Sequence, residues 1–157
     1  MREDSILFEF TDESGLFPID FDRIERALRA VLSDAGITVG RIELVALAPE
    51  PMHRINVEFL GHDYPTDVLA FQLDDGDDPS KLEANIAVCP DVAEKYAKIY
   101  DWPRESELLL YAIHGALHLV GYDDHDPEGA VLMHQKEREY LAKVGVDGSR
   151  SREGEET

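Results

Sequence analysis

The chain has few cysteines, no long apolar run and no obvious export segment. Its single cysteine, Cys89, excludes an intramolecular disulfide. No stretch approaches the roughly 20 apolar residues of a membrane span, and the beginning, Met1-Arg-Glu-Asp, is not apolar. We therefore expect no membrane association, a cytoplasmic location, and a buried, unreactive Cys89 within its apolar surroundings.

Basic residues are also scarce. Only 15 Lys and Arg accompany 34 Asp and Glu, which gives a formal net charge of −19. A surface of this sign repels phosphate at a distance, so the composition by itself argues against a general nucleic-acid binder. A bound metal ion would supply local positive charge, and a basic partner would also offset this repulsion.

The length suits one domain, and helical and strand-like patterns alternate along it. We predict an α+β (mixed α/β) domain over residues 1–146, with a four-stranded sheet packed by about five helices. Residues 147–157 have no apolar side chain and are expected to be a disordered tail. The predicted strands are 5–11, 37–48, 66–73 and 85–89, and the predicted helices start at Asp20, Pro90, near Pro103 and at Asp126-Pro127, with 51–61 fitting either a strand or a helix.

The most informative stretch is 114–125, His-Gly-Ala-Leu-His-Leu-Val-Gly-Tyr-Asp-Asp-His. It closes an apolar run that predicts a helix, with Asp101 as a plausible cap and Gly121 as the stop. His114 and His118 are four residues apart and therefore lie about 40° apart around the helix axis. Both rings leave one face of the helix, where two imidazole nitrogens can meet one metal ion.

A third ligand follows in the turn after this helix. Asp124 and His125 both come within reach of the histidine pair. Three protein ligands with a fourth position left open are typical of a catalytic zinc site. Zinc peptidases carry a glutamate directly after the first histidine as the general base. Here that residue is Gly115, so peptidase chemistry of that kind is disfavoured.

Two blocks resemble a known family. His114-Gly-x-Leu-His118-Leu-x-Gly121-Tyr122-Asp123 resembles the signature of the YbeY endoribonucleases, zinc-dependent bacterial rRNA maturation factors. A second block, 65–71 (Pro-Thr-Asp-Val-Leu-Ala-Phe), is similar to another block of that family, and 86–90 and the helices follow in the same order. The resemblance covers nearly the whole chain except its ends, and it favours a short helix within 51–61.

The resemblance implies one Zn²⁺ per chain, bound by His114, His118 and a third ligand. Family members usually read Gly-Tyr-Asp-His, and the position of that histidine holds Asp124 here, with His125 one step later. Register favours Asp124, and His125 remains the alternative. Leu60 falls where many members carry an arginine thought to help with the phosphodiester, so Arg54 is the candidate for a replacement cation.

The remaining candidates have weaker patterns. His125, if it does not bind metal, is suited to carrying protons at neutral pH. Asp123 would orient a ligand imidazole or simply satisfy the loop. Thr66 and Asp67 are either part of a cleft wall near the metal or a turn cap. The histidines His53, His62 and His134 are taken as surface residues, and the acidic segment 74–78 is taken as a solvated turn rather than a calcium loop.

Three functional hypotheses follow. The resemblance implies a single-strand-specific metallo-endoribonuclease, acting on RNA in ribosomal particles during maturation of the 16S rRNA 3′ end and in ribosome quality control. It implies no action on DNA. The alternatives are a zinc hydrolase of another class, such as a metallopeptidase, and a non-catalytic ribosome-associated factor with a structural metal.

Overall fold

The structure, a computed structural model, describes residues 5–60 and 67–150, without the side chains of residues 59, 60 and 150. The strands are β1 (Ser5–Asp12), β2 (Val39–Ala46), β3 (Val68–Gln72) and β4 (Lys81–Val88). The α-helices are α1 (Phe21–Asp34), α2 (Pro49–Ile55), α3 (Pro90–Tyr100), α4 (Arg104–Leu119) and α5 (Pro127–Lys143), with a π-helical segment Asn56–Leu60 and a 3-10 helix Gly148–Arg150. The predicted α+β fold with four strands and five helices is confirmed.

The four strands form one mixed sheet in the order β1-β2-β4-β3. The first three in this order are parallel, and β3 runs antiparallel to β4 at the edge. Each parallel neighbour is reached through a helical crossover or a longer excursion, as parallel pairing requires. Helices therefore cover the face of the sheet formed by Ile42, Leu44, Ala84 and Ile86, which are all buried.

The predicted start and end of α1 are confirmed. The side chain of Asp20 accepts a hydrogen bond from the backbone N–H of Arg23 at 3.1 Å, which satisfies one free donor of the first turn. The apolar stripe of α1 is buried, and Gly36 follows with a φ of +83°. This left-handed conformation is the one that glycine adopts most readily after a helix.

Helix α4 is the central helix of the core. Eleven of its sixteen residues are buried, because α4 packs against the sheet as well as α1, α3 and α5. The predicted cap at Asp101 is wrong. Asp101 instead ends α3 in a left-handed conformation, with a φ of +56°, and Pro103 directly precedes α4. Aspartate tolerates this conformation better than most residues because its short polar side chain can bond locally.

The fourth strand and the segment after β2 differ most from the prediction. The strand predicted over 85–89 is longer in the structure, where it begins at Lys81 and ends at Val88. Polar and apolar residues alternate between the two faces of the sheet in its first half. Pro49 and Pro51 follow the end of β2. They lie in the first turn of α2, where a missing backbone N–H costs no helical hydrogen bond. The short helix that the resemblance favours in this region is present.

Cys89 lies in a second small apolar cluster beneath α2, together with Leu47, Met52, Leu69 and Ala87. It is fully buried, as predicted, and burial raises the pKa of its thiol. A thiol that resists ionisation is a poor nucleophile and a poor metal ligand. Cys89 is therefore a packing residue.

Of the predicted tail, Gly148–Arg150 form one 3-10 turn, and residues 151–157 lie outside the described residues. The domain boundary at 146 stays a prediction. No helix within residues 5–60 and 67–150 has the length and apolarity needed to cross a membrane.

Candidate metal centre

The two histidines of α4 face each other at the end of the helix. Their Nε2 atoms are 3.0 Å apart, and the rings meet edge to face with centroids 4.6 Å apart. His114 is the more enclosed of the two, with 21% of its side chain exposed. The predicted shared face therefore exists, and it opens to solvent on the side of His118.

A Schellman motif carries the chain from α4 into the next loop. The N–H of Gly121 donates to the carbonyl of His118 at 3.1 Å, and the N–H of Tyr122 donates to that of Leu117 at 3.0 Å. Gly121 has a φ of +106°, which a residue with a side chain rarely adopts. The turn reverses the chain so that Asp124 returns to the histidine pair.

Helix α5 fixes the other end of this loop. The side chain of Asp126 accepts a hydrogen bond from the N–H of Gly129 at 2.6 Å, and its carbonyl accepts from the N–H of Ala130 at 2.9 Å. This confirms the predicted start of the last helix at Asp126-Pro127. Asp124 is thus held between two well-defined helix ends.

The Asp124 carboxylate approaches both histidines. Its Oδ2 lies 3.7 Å from Nε2 of His114, and its Oδ1 lies 3.5 Å from Nε2 of His118. In a tetrahedral zinc site, bond lengths near 2.1 Å put two ligand atoms about 3.4 Å apart. The Nε2–Nε2 distance of 3.0 Å lies within about 0.4 Å of that value, and each Nε2 has one carboxylate oxygen of Asp124 within 3.7 Å. The nitrogen and oxygen donor set also suits zinc, so these residues fit the metal and can hold it.

Among residues 5–60 and 67–150, this is the one group of three or more His, Cys, Asp or Glu side chains at ligand spacing. The structure thus brings together the three predicted ligands. Their role as ligands stays a prediction.

A buried carboxylate stands behind His114. Glu137, on α5, is only 1% exposed, and its Oε2 is hydrogen-bonded to Nδ1 of His114. No prediction from the sequence assigned a role to Glu137, which falls at helical spacing on the inward stripe of this helix. The available signal was an acidic residue between Met133 and Tyr140 in an otherwise apolar stripe.

The surroundings shift the two histidine pKa values in opposite directions. Burial lowers the pKa of His114, but the hydrogen bond and charge of Glu137, with Asp67 and Asp124 nearby, outweigh burial and raise it. For His118, burial and the neighbouring His114 lower the pKa despite the charge of Asp124. As the pH falls, His114 therefore becomes a doubly protonated imidazolium before His118 does, and an imidazolium has no free lone pair to bind a metal.

Comparison with known proteins identifies the family. A family model described as "Endoribonuclease YbeY" matches residues 10–145. Endoribonuclease YbeY of Chlorobaculum parvum is 36% identical over 126 residues, which are 80% of this chain and 87% of that protein. Endoribonuclease YbeY of Chlorobium phaeovibrioides is 38% identical over 131 residues, 83% of this chain and 86% of that protein.

This chain belongs to the YbeY family. The solution structure of TM1509 from Thermotoga maritima has the same kind of fold, with a TM-score of 0.61 and 27% identity. The match covers 88% of this chain and 89% of that one.

In this YbeY chain, the residue after Asp124 lies apart from the histidine pair. The His125 side chain is 88% exposed, and its Nδ1 is hydrogen-bonded to Oδ1 of Asp123. The backbone N–H of His125 donates to the same oxygen at 3.0 Å. Asp123 and His125 thus form an exposed pair beside the candidate metal centre, and it is Asp124 that approaches His114 and His118.

The other predicted site residues of this YbeY chain are more scattered. Arg54 lies on α2 and pairs with Glu50 at 2.9 Å, with 64% of its side chain exposed. Asp67 precedes β3 and is close enough to His114 to raise the pKa of that ring. Leu60 ends the π-helical segment, with its side chain outside the described part of the chain, and His62 and Thr66 also fall outside the described residues.

Proposed function

We propose that this protein is a metal-dependent endoribonuclease that cleaves single-stranded RNA in rRNA processing. The observation that carries the proposal is the convergence of His114, His118 and Asp124 in a chain of the YbeY family. The curated relatives of this chain are named endoribonucleases. We extend the proposal to maturation of the 16S rRNA 3′ end and to ribosome quality control, in the cytoplasm.

We propose that His114 and His118 bind Zn²⁺ through Nε2 and that Asp124 binds it through a carboxylate oxygen. Bound zinc lowers the pKa of a coordinated water and stabilises negative charge on a phosphoryl oxygen. The three side chains leave one coordination position for water or substrate. About a third of the His118 side chain is accessible to solvent. This exposure supports an open coordination position on that side of the histidine pair.

We propose that His125, held by Asp123, carries protons to or from the reacting groups of the RNA. An exposed imidazole is well suited to exchanging protons near neutral pH. The carboxylate of Asp123 holds Nδ1 of His125, so Nε2 is the nitrogen that faces away from this bond. Arg54 is proposed to meet the negative charge of the RNA backbone once its exposed pair with Glu50 opens.

The strong negative charge of the chain restricts how RNA is bound. With 34 acidic and 15 basic residues, the protein has little long-range attraction for phosphate. We propose that recognition is local, at the metal and Arg54, and that ribosomal particles or basic ribosomal proteins recruit the chain. A non-catalytic ribosome-associated factor is the second candidate, because Leu60 stands in place of the arginine that resemblance to the family suggests.

Peptidase chemistry has no support from the geometry around Gly115. A Cβ at this position would lie 3.1 Å from Cγ2 of Val68 and 3.4 Å from Cγ2 of Ile86. A side chain here would enter the interface between α4 and the sheet. A glutamate at position 115 would therefore crowd Val68 and Ile86 in this interface.

The test is cleavage of single-stranded RNA by zinc-loaded wild type, His118→Ala and His134→Ala. We expect wild type and His134→Ala to cleave RNA and His118→Ala to lose the activity, with casein intact in every case. His134 is a half-buried histidine on α5 outside the ligand group, so it controls for the loss of any histidine. Binding to ribosomal particles without RNA cleavage by the wild type would overturn the nuclease proposal in favour of the non-catalytic factor.

A further inference from the structure

Glu137 is costly to bury. Its carboxylate is 1% exposed and lies in the stripe of α5 that includes Met133, Tyr140 and Leu141, all buried apolar or aromatic residues. A charge taken out of water is tolerated only where it is paired and hydrogen-bonded. One partner of this carboxylate is Nδ1 of His114. An isolated packing role would be served better by an apolar residue of the same size.

The bond between Glu137 and His114 decides which ring nitrogen can bind a metal. A neutral imidazole carries one N–H, and a carboxylate is an acceptor only. Nδ1 must therefore be the protonated nitrogen of neutral His114, and Nε2 keeps its lone pair. Nε2 is the atom that faces His118 at 3.0 Å and Asp124 at 3.7 Å. The ring is also held against rotation about its side-chain bonds.

We propose that Glu137 is a positioning residue that locks His114 in the Nδ1–H tautomer and so prepares Nε2 for the metal. The inference rests on the metal site of the proposed function. Carboxylates that hold a ligand histidine in this way orient the ring and increase its basicity, and losing one typically costs a factor of about 10 to 100 in metal affinity.

The position of Glu137 on α5 strengthens this assignment. The first turn of the same helix holds the loop that carries Asp124. Asp126 directly precedes this turn, and its side chain accepts a hydrogen bond from the N–H of Gly129. One helix therefore supports both sides of the candidate centre, the ring of His114 from behind and the carboxylate of Asp124 from the loop.

Glu107 provides the matched control. It is a second glutamate with no exposed surface, on α4, and its Oε1 accepts a hydrogen bond from Nε1 of Trp102 at 2.8 Å. It precedes His114 by two helical turns, about 10 Å along the axis. The substitution Glu107→Gln changes a buried carboxylate to an amide without altering a partner of His114.

The experiment measures Zn²⁺ affinity by competition with a colorimetric chelator for wild type, Glu137→Gln, Glu137→Met and Glu107→Gln. Circular dichroism establishes that each variant is folded at the temperature used. Long-range ¹H–¹⁵N spectra of the metal-free proteins report which nitrogen of His114 carries the proton, a readout that is independent of RNA cleavage.

We expect Glu137→Met to bind zinc about 10- to 100-fold more weakly and to move His114 toward the Nε2–H tautomer. In Glu137→Gln the side-chain carbonyl still accepts from Nδ1, so the tautomer is retained and the loss is smaller. Glu107→Gln should match the wild type. The inference is overturned if Glu137→Met keeps the wild-type tautomer, or if its zinc affinity falls no further than that of Glu107→Gln.

Two failures are distinguishable. If wild type binds no zinc, the metal site of the proposed function fails. If wild type binds zinc and the Glu137 variants bind it equally well, only the role of Glu137 is wrong.

Discussion

At the scale of single residues, Gly129 has no room for a side chain. A Cβ at this position would lie 2.1 Å from the carbonyl oxygen of Asp123, a backbone atom that cannot move without shifting the loop. We predict that Gly129→Ala displaces Asp124 from the two histidines and lowers zinc affinity by about tenfold or more, comparable to the loss of an orienting contact. Chelator competition measures the change.

Ala142→Gly is the control for Gly129→Ala. Ala142 is exposed near the end of the same helix, and glycine there should cost about 1 kcal/mol of stability through helix propensity alone. This variant should keep the zinc affinity of the wild type. Equal zinc affinities for Gly129→Ala and wild type would show that the loop is not held in the way described.

The residues of the candidate centre differed in how far the sequence could predict them. Helical spacing and a glycine stop were enough to place His114 and His118 on one face, because these are properties of consecutive residues. The choice between Asp124 and His125 depends on the path of a loop, which no local pattern determines. Glu137 was missed because its partner lies 23 residues away and only packing of α5 on α4 brings them together.

At the scale of elements, polar contacts to Asp34 join α5 to the end of α1. The hydroxyl of Tyr140 donates to Oδ2 of Asp34 at 2.7 Å, and this hydrogen bond is the main reason why the pKa of Asp34 is lowered. Lys143 approaches the same carboxylate at 3.6 Å. Asp34 is the last residue of α1, where the helix dipole disfavours negative charge, so these contacts offset an unfavourable position.

We predict that Tyr140→Phe lowers the free energy of unfolding by about 1 kcal/mol at pH 7, since the Asp34 carboxylate is half exposed and the bond is partly screened. The pKa of Asp34 is lower in the folded than in the unfolded state. Its contribution is therefore complete above the ordinary carboxyl pKa of about 4 and disappears as the pH falls through the lower, folded value. Urea unfolding at pH 7 and at successively lower pH measures the difference.

Tyr96→Phe is the matched control, because Tyr96 is half-buried on α3 and stacks on Tyr100. It should change the free energy of unfolding by less than about 0.5 kcal/mol at any pH. If the effect of Tyr140→Phe is as large at the lowest pH as at pH 7, the bond to ionised Asp34 is not its cause.

Element types were predictable where capping and periodicity agree. Asp20 and Asp126 both cap the helices they were predicted to start, and the stripe of α1 is buried as its spacing requires. The prediction that Asp101 caps α4 was wrong because an aspartate before a helical run also suits the left-handed end of the previous helix. The strand order β1-β2-β4-β3 could not be obtained, since it is decided by contacts between segments far apart in the chain.

At the scale of the whole molecule, the net charge of −19 opposes the approach of RNA. Added salt screens this repulsion, because the Debye length falls from about 30 Å at 0.01 M to about 8 Å at 0.15 M. We predict that kcat/KM for cleavage of a single-stranded RNA rises with KCl over this range. If RNA were bound through basic patches, kcat/KM would instead fall as the KCl concentration rises. Initial rates at constant zinc measure this.

A substrate with few phosphates is the control for the salt effect. It is repelled less, so its kcat/KM should respond less to KCl. A steep fall of kcat/KM with salt for the longer RNA would instead indicate that a basic surface governs the encounter.

The most direct measurement is bound metal per chain, by elemental analysis of zinc-replete wild type, Asp124→Ala and His125→Ala. With Asp124 beside both histidines and His125 paired to Asp123, we predict about one zinc ion per chain in wild type and His125→Ala, and its loss in Asp124→Ala. Absence of zinc from the wild type, or its loss from His125→Ala with retention in Asp124→Ala, would contradict this account of the centre.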